Sequence, residues 1–253
     1  MTKYEFLALI VSIVAILIPI IQWIWAKWIV KPKLKFYPTG RAYLFANRSG
    51  SYIRIEGVFE AINKPVSVKN ISLKIIRKKD DVALNLRWSM FINPANQQIL
   101  GAYTSATEIA HPFRIDSENV VCAFTEYTDF YGSSEKKLQP YIEALTDDLR
   151  IINLSDKDYS NVLREYCALD SYKDAREALA KELFWDIGKY EVNMDVEYGK
   201  TNKVFQLGFE VSNEKYMDLC FNIDEVLISI LKKQYNQQPA LKTIQVEVKE
   251  DNK

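Results

Sequence analysis

Few side chains in this sequence have the types and spacing that catalysis demands. The chain holds one histidine, His111, which stands before Pro112 where a strand is expected to begin. Histidine catalysis needs a nucleophile and an orienting carboxylate, yet no Gly-x-Ser-x-Gly turn or catalytic-cysteine signature accompanies it. A single imidazole excludes a multi-histidine metal site. Cys122, Cys167 and Cys220 are too widely spaced for a zinc cluster or a disulfide framework. The acidic pairs Asp80-Asp81 and Asp147-Asp148 fall in turn and helix contexts that leave carboxylates solvated. No glycine-rich phosphate loop is present, which argues against nucleotide hydrolysis and dinucleotide redox chemistry. The expectation is a non-enzymatic protein with no catalytic residues, no cofactor and no metal.

What the sequence does offer is positive charge in one place. The 33 basic and 33 acidic residues cancel over the whole chain. From Lys27 to Arg87, however, there are 14 basic and 4 acidic residues, and the remainder is correspondingly acidic. Arg41, Arg48, Arg54, Lys64, Lys69, Arg77, Lys78 and Lys79 lie on short strands and turns of this basic stretch. If those strands pair in sequence order, the cations converge near Tyr43 and Tyr52. Phosphates and stackable rings are what a nucleotide or oligonucleotide groove requires. The same residues also suit an anionic inner leaflet, at about 1 kcal/mol per residue near the surface. Both uses fit.

These residues follow a segment with its own physics. Phe6 to Ala26 is 21 residues without a charge. As a helix rising about 1.5 Å per residue, it spans the roughly 30 Å of a bilayer core. A cleaved signal peptide would carry a shorter apolar run and a small-residue cleavage site, which are absent here. Lys3 precedes the run, whereas Lys27, Lys31, Lys33 and Lys35 follow it. The positive-inside rule therefore sets the N-terminus outside and the body in the cytoplasm of a bacterial inner membrane, with a single pass. Trp23, Trp25 and Trp28 form an aromatic belt on the cytoplasmic side.

Within the span, the residues that are not large and apolar are Ala8, Ser12, Ala15, Pro19, Gln22 and Ala26, spaced by four and three in alternation. Glu5 extends the row by one step. In lipid, large apolar side chains gain nothing by facing each other, so helices associate through small residues and shared polar groups. The stripe predicts a homo-oligomer, a tetramer being one arrangement. A sharper reading makes it the lining of a conduit, with Glu5, Ser12 and Gln22 inside and Trp23 and Trp25 as gate. Pro19 is a candidate hinge.

After residue 30 the pattern becomes short alternating runs separated by turn residues. Leu34–Tyr37, Ala42–Ala46, Ser51–Ile62, Val66–Ile76, Leu84–Ile92, His111–Ile115 and Asn119–Tyr127 read as strands. Helical spacing takes over across about 141–186, strands return from Gly188, and a C-terminal helix is expected over about 214–235. The organisation predicted is a membrane helix at 1–30 and a cytoplasmic domain at 31–253. That domain is a mainly antiparallel, Ig-like β-sandwich with a helical insertion.

The Asn63-Lys64-Pro65-Val66 turn and the Phe184-Trp185 to Gly188-Lys189-Tyr190 strand entry complete this outline. It resembles the Ig-like modules fused to membrane helices in effectors of bacterial anti-phage defence, of the CBASS and Hailong types. The resemblance implies an oligomeric pore held or released by a cytoplasmic β-rich sensor. It also implies a nucleotide or oligonucleotide ligand made by a nucleotidyltransferase encoded nearby. The chain departs from that pattern in having one span where many such effectors have two or more. The alternative is a membrane-tethered, non-enzymatic scaffold that recruits a partner to the inner face.

Overall fold

An uncharged run in an apolar medium has to satisfy its backbone polar groups internally, and a helix does so. The first element, α1, spans Lys3–Ile24. It is the one helix among the described residues that is long and apolar enough to cross a membrane, over Phe6–Ile24, and the rest of the chain covers none of it. The structure is a computed structural model describing residues 3–25, 30–99, 102–129, 132–152 and 158–250, with side chains except at 5, 9, 93–99 and 102–106.

Seven strands follow: β1 Lys33–Asn47, β2 Gly50–Ile62, β3 Val66–Arg77, β4 Val82–Ile99, β5 Ala102–Ile109, β6 Phe113–Ile115 and β7 Val120–Thr128. Three helices come next, α2 Ser133–Ile151, α3 Tyr159–Ala168 and α4 Asp170–Glu182. The chain ends with β8 Gly188–Tyr198, β9 Thr201–Val211, α5 Asn213–Gln234, β10 Ile244–Glu247 and β11 Lys249–Glu250. The helical insertion thus begins at Ser133, ahead of the expected 141, because Leu138, Leu145 and Leu149 supply one buried face from the start. The two strands expected at Leu34–Tyr37 and Ala42–Ala46 are one, β1. Gly40, at φ +85°, lets it pass through a register shift between Pro38 and Ala42 instead of turning.

Antiparallel pairing runs β10-β1-β2-β7-β4-β3-β8-β9-β11, with β5 on β4 and β6 on β3. The strands therefore form one continuous sheet and not the two sheets of the expected sandwich. Adjacent in sequence, β10 and β11 stand at opposite ends of that path. Arg41–Leu44 of β1 pairs with β10, Leu207 and Gly208 of β9 pair with β11, and the Val248 N–H between them donates to Gly40 C=O at 3.0 Å. A single C-terminal run thus joins both ends of the sheet and rolls it into a barrel-like shape. Alternation alone cannot tell this from a sandwich, since each buries one face of every strand.

The inward rows fill the barrel. Ile53, Ile55, Phe59 and Ala61 of β2 and Ile71, Leu73 and Ile75 of β3 are buried on the expected face. Gly57 occupies the same row because a Cβ there would lie 2.1 Å from Cζ of Phe36, whose ring packs against Phe59 with centroids 4.8 Å apart. A second core gathers Leu138, Leu145, Val162, Tyr166, Leu179 and Leu227 from α2 to α5. The insertion docks where it re-enters the sheet: Phe184 N–H donates to Ser51 Oγ at 2.9 Å, and Trp185 Nε1 donates to Phe45 C=O at 2.9 Å.

Closure of the barrel depends on polar residues of α5. Asn222 Oδ1 accepts from Lys242 N–H and its Nδ2 donates to Lys242 C=O, both at 2.8 Å. Glu225 accepts from Ala240 N–H at 2.8 Å and from Lys232 Nζ at 2.7 Å. Asp218 pairs with the Lys242 ammonium. Spaced on one face of α5, these three clamp the segment that leads into β10. Replacing Asn222 by Ala strands two backbone groups of Lys242 and is expected to lower stability by about 2–3 kcal/mol, read as a shift in the urea midpoint. Burial pushes the Glu225 carboxyl up, but Lys232 and the Ala240 N–H outweigh it and hold its pKa below the ordinary value. Its contribution is therefore full above the unfolded-state carboxylate pKa and is lost as pH falls through the folded one. The stability gap between wild type and Glu225→Gln should narrow with acidification, and a gap constant from pH 7 to pH 3 would refute this account.

Candidate functional site at the barrel mouth

The eight basic residues expected to form a phosphate groove are dispersed by the strand order. Between β2 and β3 lie β7 and β4, so Arg54 is three strands removed from Lys69 and Arg77. Most of their charge is already met. Arg41 pairs with Glu56 at 3.1 Å, Arg54 with Glu126 at 3.2 Å, and Lys69 with Glu197 at 3.5 Å. Arg77 pairs with Asp80 at 2.7 Å, Lys79 with Asp186 at 2.8 Å, and Lys78 with Glu191. Hydrogen bonds from Arg77 and Lys79 hold the Asp80 and Asp186 carboxyls below their ordinary values. Arg48 reaches Ser229 Oγ at 3.5 Å, and Lys64 sits in the turn between β2 and β3. The two tyrosines are diagonal neighbours on the outward face of β1 and β2: Tyr43 stands opposite Arg54, and Tyr52 stacks on Phe45 with centroids 4.6 Å apart, the Arg54 guanidinium lying 5.4 Å from that Phe45 ring. Burial first, and then the Glu126 carboxylate, raises the Tyr52 phenol to about 12.

Along α1, the stripe residues Ala8, Ser12, Ala15, Pro19 and Gln22 are all exposed, as are Trp23 and Trp25. Ser12 Oγ donates to Ala8 C=O at 2.8 Å, so its polarity is satisfied within the helix. Ala26 and Trp28 lie outside the described residues, as does the side chain of Glu5. His111 is exposed, with Nδ1 3.0 Å from Ile109 C=O.

A cationic cluster that the sequence reading did not assemble lies at the end of the barrel where the chain arrives from α1. Beyond the reach of β10 and β11, β1 from Lys33 to Pro38 and β9 from Thr201 to Gln206 have no strand between them among the described residues. The sheet is open there. A cleft of about 500 Å³ follows this opening, lined by Lys35, Tyr37, Lys203, Phe205, Gln206 and Glu250 among others. Lys33 and Lys35 alternate outward on β1. Lys203 continues the inward row of Leu207 and Phe205, and it is half-buried. Its ammonium donates to Leu34 C=O at 2.7 Å and sits 4.8 Å from the Phe205 ring centroid. Lys35 Nζ lies 5.9 Å from the ring of Tyr37, whose hydroxyl donates to Glu60 at 2.7 Å.

Among the described residues, no carboxylate forms an ion pair with Lys33, Lys35 or Lys203. Burial, and then the charges of Lys35 and Lys33, hold the Lys203 pKa below its ordinary value. The alternation of Lys33 and Lys35 is visible in the sequence, but Lys203 joins them only through closure of the sheet, 169 positions from Leu34.

No protein-family model matches the chain, and no curated protein matches it. One solved structure that aligns with it is a family 123 glycoside hydrolase from Clostridium perfringens, studied for glycolipid glycan hydrolysis. That alignment covers 72% of this chain and 27% of the hydrolase, at 10% identity and a TM-score of 0.31. Likeness at that level transfers neither fold nor activity.

If the lysines share one field, replacing Lys33 and Lys35 together by Ala should raise the titration midpoint of the Lys203 amine. Salt should diminish the difference, since screening acts over about 10 Å at 0.1 M. Carbon-13 NMR of reductively methylated protein reads this directly, and an unmoved Lys203 midpoint at low salt would refute the coupling.

Proposed function

We propose that this chain is a single-pass membrane protein whose helix self-associates, and whose non-enzymatic β-barrel head works at the membrane face. The observation that carries this reading is α1, an apolar helix exposed on every described face, with its small and polar residues confined to one stripe. Such a stripe admits close approach of a second backbone, which is how helices gain contact in lipid. The lysines that follow the span set the head on the cytoplasmic side of a bacterial inner membrane. The tether and scaffold role is favoured because the basic residues that would meet a nucleotide are spread over several strands and largely ion-paired. Phosphates would have to displace carboxylates already in place at Arg41, Arg54 and Arg77.

A second reading is the ligand-gated pore of an anti-phage effector. It is favoured by Gln22, an amide that shares the stripe with Ser12 and comes just before Trp23 and Trp25 in the sequence. The lining of a conduit by Gln22 and Ser12, gated by those rings, belongs to this reading.

Cysteine crosslinking tests the self-association. With the native cysteines replaced, Ser12→Cys in membranes should form disulfide dimers several-fold more readily than Ile10→Cys on the opposite face. Ser12→Leu with Ala15→Leu should abolish assembly, read as the mass of the detergent-solubilised particle. Equal crosslinking from both faces would sink the seam. Depolarisation of liposomes by the reconstituted protein would favour the pore over the tether, and tight liposomes would favour the tether.

A further inference from the structure

We propose that the open seam between β1 and β9 is a binding site for the phosphate of an anionic lipid headgroup. This rests on the membrane reading above, but on different residues from those of the helix stripe. The basic residues elsewhere on the barrel are held mostly by carboxylates at 2.7–3.5 Å. Lys33, Lys35 and Lys203 have no such partner among the described residues, and they lie close enough for Lys33 and Lys35 to oppose protonation of Lys203. Like charges crowded without a counter-charge form a site that an anion would stabilise.

The cluster is also built in part before any ligand arrives. The Lys203 ammonium is anchored by Leu34 C=O at 2.7 Å and by the Phe205 ring, so little rotamer freedom remains to be lost on binding. Lys33 and Lys35, by contrast, are exposed and can move toward a ligand.

The walls are amphipathic. Tyr37 and Val204 are 44% and 53% exposed on either side of the opening, a surface suited to the glycerol and upper acyl region of a lipid. Among the described residues the carboxylate lining the cleft is Glu250, opposite Leu207 and four positions along β9 from Lys203, while Glu60, across from Lys35 on β2, accepts from the Tyr37 hydroxyl. Position agrees with this assignment. Lys33 opens β1 nine residues after α1 ends at Ile24, a reach of about 30 Å at most when fully extended. The lysines therefore lie within range of the headgroup layer of the leaflet from which the chain emerges.

The test uses the full chain in dodecyl maltoside, mixed with dioleoyl phosphatidic acid, phosphatidylglycerol or phosphatidylcholine, and native mass spectrometry to count retained lipid. The two anionic lipids should be retained by the wild type and phosphatidylcholine should not. Lys35→Glu, at an exposed position that tolerates substitution, and Lys203→Met should each reduce anionic-lipid retention about five- to tenfold. Flotation with phosphatidylcholine liposomes should be equal for all three proteins, because α1 alone anchors them. Anionic-lipid retention unchanged in Lys35→Glu would overturn the site. Loss of flotation by the wild type would overturn the membrane reading instead. Binding of glycerol 3-phosphate, lost in Lys35→Glu and without lipid retention, would support the phosphate site and overturn lipid as its source.

Discussion

The fold depends on one short run of backbone hydrogen bonds at its C-terminal end. Ile244–Glu247 pairs with β1 and Lys249–Glu250 pairs with β9, so two sheet edges that would otherwise face solvent are joined by six strand residues. An open edge presents unpaired donors and acceptors, and an open sheet exposes its apolar face. Without this seam, the inward rows of β1 and β9, Leu34, Phe36, Leu207 and Phe209, would form the margin of a sheet instead of the wall of a core. The run is too short to hold by itself. Asn222, Glu225 and Asp218 on α5 seize the backbone and the lysine just before it, making barrel closure a property of the helical layer as much as of the sheet.

The same incomplete closure explains why positive charge is spent in one place and left over in another. Where strands lie side by side, outward cations meet carboxylates on the neighbouring strand, as Arg54 meets Glu126 in direct register. Where such pairs are exposed they contribute little stability, roughly 0–1 kcal/mol each, but they occupy the charge. At the open mouth, β2 sets Glu60 opposite Lys35, but that carboxylate accepts from the Tyr37 hydroxyl, and among the described residues no strand lies between β1 and β9 to supply another. Lys33, Lys35 and Lys203 are left with a carbonyl, two aromatic rings and each other.

The two parts of the chain obey different solvents. On the membrane reading proposed above, burial of α1 within the protein would bring nothing that lipid does not already supply, and its small-residue stripe would be the specific part. For the head, water drives Phe36, Phe59, Phe113 and Phe205 together, and the barrel holds them in tilted contact at 4.8–6.3 Å.

Periodicity by itself determined much of this. An uncharged stretch specifies a helix long and apolar enough to cross a membrane, alternation in Ile53 to Ala61 and Ile71 to Ile75 specifies which faces are buried, and the spacing of Leu219, Ile223, Val226 and Ile230 specifies α5. These are local properties, written in residues two to four apart. Strand order, a barrel in place of a sandwich, the pairing that consumes Arg41, Arg54 and Arg77, and the arrival of Lys203 beside Lys35 were decided only in three dimensions. Each depends on which distant segments meet, and that choice is made by the joint packing of one core and the closure of one seam. No side chain's spacing along the chain encodes it.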